Sequence, residues 1–281
     1  MSTRKLQQLY QIRLTSFKRN FDLTRQCHLM EDIHHLRVDI KKLRAMLRLM
    51  QVLSPVDDRE KSYRKLFSKI FNKAGEVREA QVNMELLESY ELARNSPYAK
   101  RLQLKEREGI VVLLKAMESF NNAQFEVAHA KQIQKVQSLP DDMVETASGT
   151  LLFQELRKVI SFKYVKSSDP LHKIRIKLKA IVEIFVLLEE VHRHPHLSTF
   201  PQDIKQLNQM LGDWHDQQVL LEEICRYEQK HRDPDEVSEL DMIKFQIKQK
   251  IRAQRAAIKM KLHATVNLKR LRALQNLLGR G

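Results

Sequence analysis

His34, Arg37, Lys41, Arg44 and Arg48 recur at intervals of three or four residues. At about 100° per residue they fall within an arc of roughly 80° on one side of a helix, over about 21 Å of its length. None of Arg37, Lys41, Arg44 and Arg48 has an Asp or Glu three or four residues away. Arg37 with Lys41, and Arg44 with Arg48, are instead like-charged i,i+4 pairs, each costing about 0.2–0.5 kcal/mol in an isolated helix. A helix that keeps such a row together has an anion to face. Arg presents a planar fork of donors to phosphate or carboxylate oxygens, and Lys a point charge. His adds a hydrogen bond and, if protonated beside the anion, a charge. Lys42 is a further cation next to the row.

The element that must position this row is written in the same stretch. Ile33, Leu36, Ile40, Leu43, Leu47 and Met50 have helical spacing, so the segment reads as an amphipathic helix. The cationic row borders its apolar stripe. Asp32 is placed to cap the N-terminus, Glu31 suits the helix dipole, and Ser54-Pro55 ends the helix. Residues 3–29 read as a preceding helix with Leu6, Leu9, Ile12, Leu14, Phe17 and Phe21 as its apolar set. Residues 57–74 and 76–92 read as two helices separated by Gly75, the first facing inward through Tyr63, Leu66, Phe67, Ile70 and Phe71. After the turn at Asn95-Ser96-Pro97, residues 98–137 read as one long helix. The stretch from Ser138 to Asp142 is the clearest break.

The pattern then repeats. His172 stands 138 residues after His34, and Gly212 stands 137 after Gly75. His34-x-x-Arg37 matches His172-x-x-Arg175, Lys41 matches Lys179, and Lys177 lies between the second pair. Residues 142–164 read as a helix. Asp169-Pro170 starts the next, which reaches about His192. Gly212 separates helices at 201–211 and 214–230, and 235–278 form a long basic terminal helix. Each half thus holds five helical segments in the same order. The period is too long for a solenoid. It predicts an all-α, duplicated helical bundle of two similar halves with pseudo-twofold symmetry around a basic cleft. The repeats span about 1–138 and 139–281 of a single domain.

Composition agrees. Only 6 Gly and 7 Pro in 281 residues favour long helices. The net charge of +15 points to a polyanionic partner. Charge is also segregated: residues 1–50 hold 11 Lys/Arg against 4 Asp/Glu, while residues 181–240 hold 5 against 13. Cys27 and Cys225 offer neither a disulfide framework nor zinc spacing. No apolar run reaches the length of a membrane span and the N-terminus lacks a signal-peptide core, so a soluble cytoplasmic protein is expected. His192, His194 and His196 flank a proline without metal-site spacing and read as a solvated loop. Glu79 and Asp216 follow the two glycines and read as caps or ion-pair partners. No P-loop, Gly-x-Ser-x-Gly or His-Glu-x-x-His motif supports an enzyme, and no cofactor or metal is expected.

The chain resembles the CHAD domain, a histidine-containing all-helical family. The resemblance rests on His34-His35-Leu36-Arg37-Val38 with Lys41-Lys42-Leu43-Arg44, and on Leu171-His172-Lys173-Ile174-Arg175-Ile176 with Lys179. It also rests on Gly75-Glu76-Val77-Arg78-Glu79 and Gly212-Asp213-Trp214-His215-Asp216. It covers essentially the whole chain. There are departures: Glu79 stands where the family usually has Asp, and Ala180 and Val182 stand where the first half has Lys42 and Arg44. The resemblance implies two helical halves around a basic cleft that binds inorganic polyphosphate, association with polyphosphate granules, and no established chemistry. The residues expected to bind are His34, Arg37, Lys41, Lys42, Arg44, Arg48, His172, Arg175, Lys177 and Lys179. Phosphate or sulfate ions are expected to occupy the same cleft, and binding is expected to strengthen as pH falls through the histidine range. The alternatives are binding of a nucleic-acid backbone and a helical scaffold that docks a partner on the acidic 181–240 region. Aromatics at 6% with one Trp leave few stacking platforms for bases.

Overall fold

Apolar residues at helical spacing, with few prolines between them, produce long helices that bury one stripe each. The computed structural model describes residues 3–53, 59–92, 94–137, 143–163, 170–191, 199–231, 234–270 and 272. Among these are nine helices and no strand: α1 (Thr3–Cys27), α2 (Met30–Leu53), α3 (Arg59–Glu88), α4 (Pro97–Glu118), α5 (Asn122–Gln137), α6 (Met143–Lys163), α7 (Pro170–Val191), α8 (Thr199–Glu228) and α9 (Pro234–Thr265). Ser54, Pro55, the Ser138–Asp142 break, Asp169, His192, His194, His196 and the side chain of Tyr63 lie outside the described residues.

Neighbouring helices pack as pairs: α1 with α2, α3 with α4, α6 with α7, and α8 with α9. The fold is a duplicated helical bundle in which α1–α4 correspond in order to α6–α9. The equivalent helices also meet each other, α2 against α7 and α3 against α8. One core joins α1, α2, α3 and α5 through Leu14, Phe17, Ile40, Leu43, Phe67 and Phe125. A second joins α6 to α9 through Leu152, Leu178, Phe185, Trp214 and Ile258. A third is shared between the halves, with Leu87, Tyr98 and Leu102 against Leu220, Ile224 and Ile247. Asp39, buried in α2, accepts from Ser16 (2.9 Å) and Asn20 (2.6 Å) and so ties α1 to the helix that carries the cationic row.

Several boundaries differ from the sequence reading. α3 and α8 run straight through Gly75 and Gly212. Glycine costs a helix interior only about 0.5–1 kcal/mol relative to Ala. Buried Ala74 and Val77, and buried Leu211 and Trp214, hold each helix on both sides of its glycine. Residues 98–137 are two helices: Ser119 caps α4 at its C-terminus, and the Asn121 side chain accepts from the Gln124 amide at the start of α5 (2.9 Å). The second half has the same device, where α9 stops at Thr265 and Asn267 accepts from the Arg270 amide (2.9 Å). α1 ends at Cys27 because His28 adopts φ 57°, its ring nitrogen meeting the Thr24 carbonyl at 2.8 Å. α2 begins at Met30, which places Asp32 in its first turn and not at the cap. Ile12, assigned to the apolar face, is 65% exposed.

Gly75 serves a close approach. A Cβ there would stand 2.7 Å from the Arg37 guanidinium, whereas a Cβ at Gly212 meets nothing within 4 Å. Gly212→Ala should therefore raise unfolding stability by about 0.5–1 kcal/mol in urea denaturation. Gly75→Ala should gain less, because the Arg37 guanidinium must leave its place.

Candidate anion-binding cleft

α2 and α7 face one another across the junction of the two halves, and the row on α2 opens onto a cleft of about 720 Å³. Arg37, Lys41, Arg44 and Arg48 line it from α2, and Arg175 and Lys179 from α7. Among the described residues, Glu183 is the one acidic side chain in this lining. Ser68 and Phe71 of α3 complete the α2 side, and Ala45, Ile176, Ala180 and Ile184 supply apolar surface. Six of the ten residues singled out in the sequence are thus brought together. All six lie on the edge of an apolar stripe, so helix packing carries them to the seam between the halves.

The remaining four lie elsewhere. Lys42 is one residue from Lys41 and so turned about 100° around the helix; it does not line the cleft. Lys177, two residues from both Arg175 and Lys179, turns away from them and meets Glu155 at 3.4 Å. His34 is exposed one turn before Arg37. His172 lies one turn before Arg175, its ring 5.3 Å from that of His215.

Neutral groups hold the guanidinia of Arg37 and Arg44 in place. Arg37 donates to the Phe71 carbonyl (2.6 Å), and its guanidinium lies 4.5 Å from the centre of the Phe71 ring. Arg44 donates to Ser68 Oγ (2.8 Å) and lies 4.7 Å from the same ring. A cation over an aromatic face gains about 0.5–1 kcal/mol when exposed and more when desolvated. Phe71 therefore anchors two guanidiniums at once. It reads in the sequence only as a core residue, because a helical pattern does not show that a ring edge reaches a neighbouring cleft.

Burial and mutual repulsion leave these cations harder to keep charged. Burial, then the charges of Arg175 and Lys41, lowers Lys179 to about 8. Burial lowers Lys41 despite the opposing influence of Glu183, with Arg37 and Arg175 adding to the shift. Burial, then Arg78 and Arg44, brings Arg37 to about 10. Arg175 is lowered by burial although Asp216 lies 4.0 Å away, and its Nε is buried with no hydrogen-bond partner. Cations from the two halves thus repel each other across the cleft, with donors left open: the condition an anion relieves.

Three polar neighbours were missed as site residues. His215 is held to about 4 by burial and by Arg175, His172 and Lys179. Asp216 is raised by burial against the pull of Arg175 and Lys179. Arg78 bears on both His34 and Arg37 while pairing with Glu85 at 3.1 Å. Their signal was their place three or four residues after the repeated glycines, one helical turn along a helix that does not break. Glu79, the other acidic residue after a glycine, pairs with Lys105 at 3.4 Å. No described residue of the basic terminal helix lines the cleft. Its Lys244 pairs with Glu228 and Lys261 with Asp203, and Arg270 just beyond it also meets Asp203. Among the described residues no cluster of three metal-ligating side chains occurs, and no helix is long and apolar enough to cross a membrane.

Comparison with known proteins places this architecture. The family model described as the CHAD domain matches residues 9–161 and again 154–280. The crystal structure of the CHAD domain from the plant Ricinus communis superposes with a TM-score of 0.65 at 14% identity, covering 99% of this chain and 92% of that one. PptA from Streptomyces chartreusis superposes with a TM-score of 0.66 at 17% identity, covering 93% of this chain and 99% of that one. A search of curated proteins gives no significant match.

The Lys179 shift has a signed consequence for stability. Its folded pKa of about 8 lies below the 10.5 of the ordinary lysine. Between these values the unfolded chain holds more proton than the folded one, so stability rises with pH. The destabilisation is complete below about pH 8 and fades toward pH 10.5. Chemical denaturation of the ligand-free protein should show a gain from pH 7.5 to 9.5, smaller in Lys179→Met.

Proposed function

The chain belongs to the CHAD domain family, and we propose that its cleft binds inorganic polyphosphate without a reaction of its own. The observation that carries the proposal is the crowding of six cations against one carboxylate at the seam of the two halves. Polyphosphate is a flexible linear polyanion with no base to read. Arg forks and Lys charges held on rigid helices suit its oxygens. Displacement of its counterions supplies affinity that falls steeply with salt. Family membership supports the same ligand, and an association with polyphosphate granules follows from it as part of this proposal.

A nucleic-acid backbone would answer to the same charges. Single strands, however, are held by aromatic platforms as well as by charge. Among the described residues Phe71 is the one aromatic in the cleft lining, and Arg37 and Arg44 lie over it. That leaves the cleft suited to phosphates and poorly suited to bases.

The deciding titration compares long-chain polyphosphate, orthophosphate and duplex DNA at one moderate salt concentration. Polyphosphate should bind most tightly. Arg37→Glu combined with Arg175→Glu should lose it while keeping its helical circular dichroism. DNA binding as tightly, or unchanged polyphosphate binding by the double variant, would overturn the proposal.

The pH response should come from lysine. Burial and nearby cations keep His215 near 4 and lower His34, whose shift also owes to Arg78 and Lys41. A bound phosphate chain raises the Lys179 pKa, so binding takes up a proton above about pH 8. Affinity should fall several-fold from pH 7.5 to 9.5 at constant salt, and Lys179→Arg should flatten that fall.

A further inference from the structure

Arg48 differs from the other cations of the cleft in donating to a fully buried carboxylate, whereas Arg175 only approaches the partly exposed Asp216, at 4.0 Å. Glu155 of α6 is fully buried. Its Oε1 accepts from Arg48 of α2 and from Lys158 of its own helix (2.7 Å), and its Oε2 faces Lys177 of α7 at 3.4 Å without accepting a hydrogen bond. Burial pushes this carboxyl up, but hydrogen bonds from Lys158 and Arg48, with the charges of Arg48 and Lys177, hold it below the ordinary range. It is therefore ionised at neutral pH. Of its three cations only Arg48 lines the cleft. By contrast, Arg37 donates to a neutral carbonyl, and Lys179 makes no ion pair among the described residues.

A buried carboxylate that loses its partner is left uncompensated, so a guanidinium bonded to it does not turn freely to a ligand. From Arg37 to Arg48 the row spans roughly 16 Å of α2, and Glu155 stands behind its far end. We propose that Glu155 is a specificity-determining residue that withholds Arg48 and Lys177 from the bound polyanion and so closes the cationic track at that end. The inference rests on the polyphosphate reading above. It makes the number of phosphates engaged smaller than the number of cations in the wall. Arg48 then belongs to the seam joining α2, α6 and α7, and the ligand is held by Arg37, Lys41, Arg44, Arg175 and Lys179.

The slope of log affinity against log salt concentration counts these contacts, each neutralised phosphate contributing roughly 0.7–0.9. The full chain would be titrated with long-chain polyphosphate across a salt series, alongside Glu155→Gln, Arg48→Gln and Lys179→Gln. Lys179→Gln should lower the slope by about one contact. Arg48→Gln should leave it at the wild-type value. Glu155→Gln, which keeps the side-chain shape and removes the charge, should steepen it by about one contact or more. An unchanged slope in folded Glu155→Gln, with only a lower melting temperature, would mean a purely structural tie and overturn the inference. So would an Arg48→Gln slope as shallow as that of Lys179→Gln. If circular dichroism shows Glu155→Gln unfolded, Arg48→Gln decides alone. Wild-type protein that does not bind polyphosphate overturns the underlying reading and this inference with it, whereas wild-type binding with a shallow Arg48→Gln slope overturns the inference alone.

Discussion

The central constraint of this molecule is repulsion between partly buried cations where α2 and α7 meet. At the seam, Arg37 and Lys41 face Arg175 and Lys179 closely enough for each half to lower the pKa values of the other. Water screens such charges poorly once they are buried, so their repulsion is a real opposing force in the ligand-free protein. The structure tolerates it through neutral supports. The Phe71 ring and carbonyl, Ser68 and the bare Cα of Gly75 give the guanidinia places to lie. Extensive apolar packing on either side holds the helices together regardless of the charge between them. The strain remains available to any anion that enters.

The two halves share a plan but not a detailed chemistry. In the first, Arg37 lies against Gly75 and Phe71; in the second, Gly212 is open and Arg175 leans toward Asp216 instead. The α2 wall carries four cations and the α7 wall two, with Ile176, Ala180 and Ile184 filling the difference. Pseudo-symmetry thus supplies two facing walls, and divergence makes one the more cationic. The acidic residues around the cleft also differ in kind. Glu155 is locked into the seam by three cations, while Asp216 is held up toward its neutral form by burial.

The net charge of +15 is a weaker guide than its distribution. In α9, Lys244 and Lys261 are answered by Asp203, Glu228 and Asp241, as is Arg270 beyond it. The Lys244–Glu228 and Lys261–Asp203 pairs join α8 to α9. The charge segregation that suggests a polyanion surface is in that region partly an internal pairing of neighbouring helices.

The all-helical class, the order of most helices, the duplication and the cationic residues of the cleft are legible in the chain before it folds. This is because a 3.6-residue period records which face of a helix is buried, and a cationic row bordering that face travels with it into the seam. Residues 37, 41, 44, 175 and 179 were legible for that reason. Tertiary structure alone decided the rest. A glycine breaks an isolated helix but not one held by buried neighbours on both sides, so Gly75 became a place of close approach within α3. Lys177 has the right charge, but an offset of two residues from Arg175 turned it toward a carboxylate on another helix. Arg48 and Glu155 are 107 residues apart in the chain, and no local pattern announces that they meet. Which cations face an anion and which are already answered is set by contacts between helices, and those depend on how the two halves are packed.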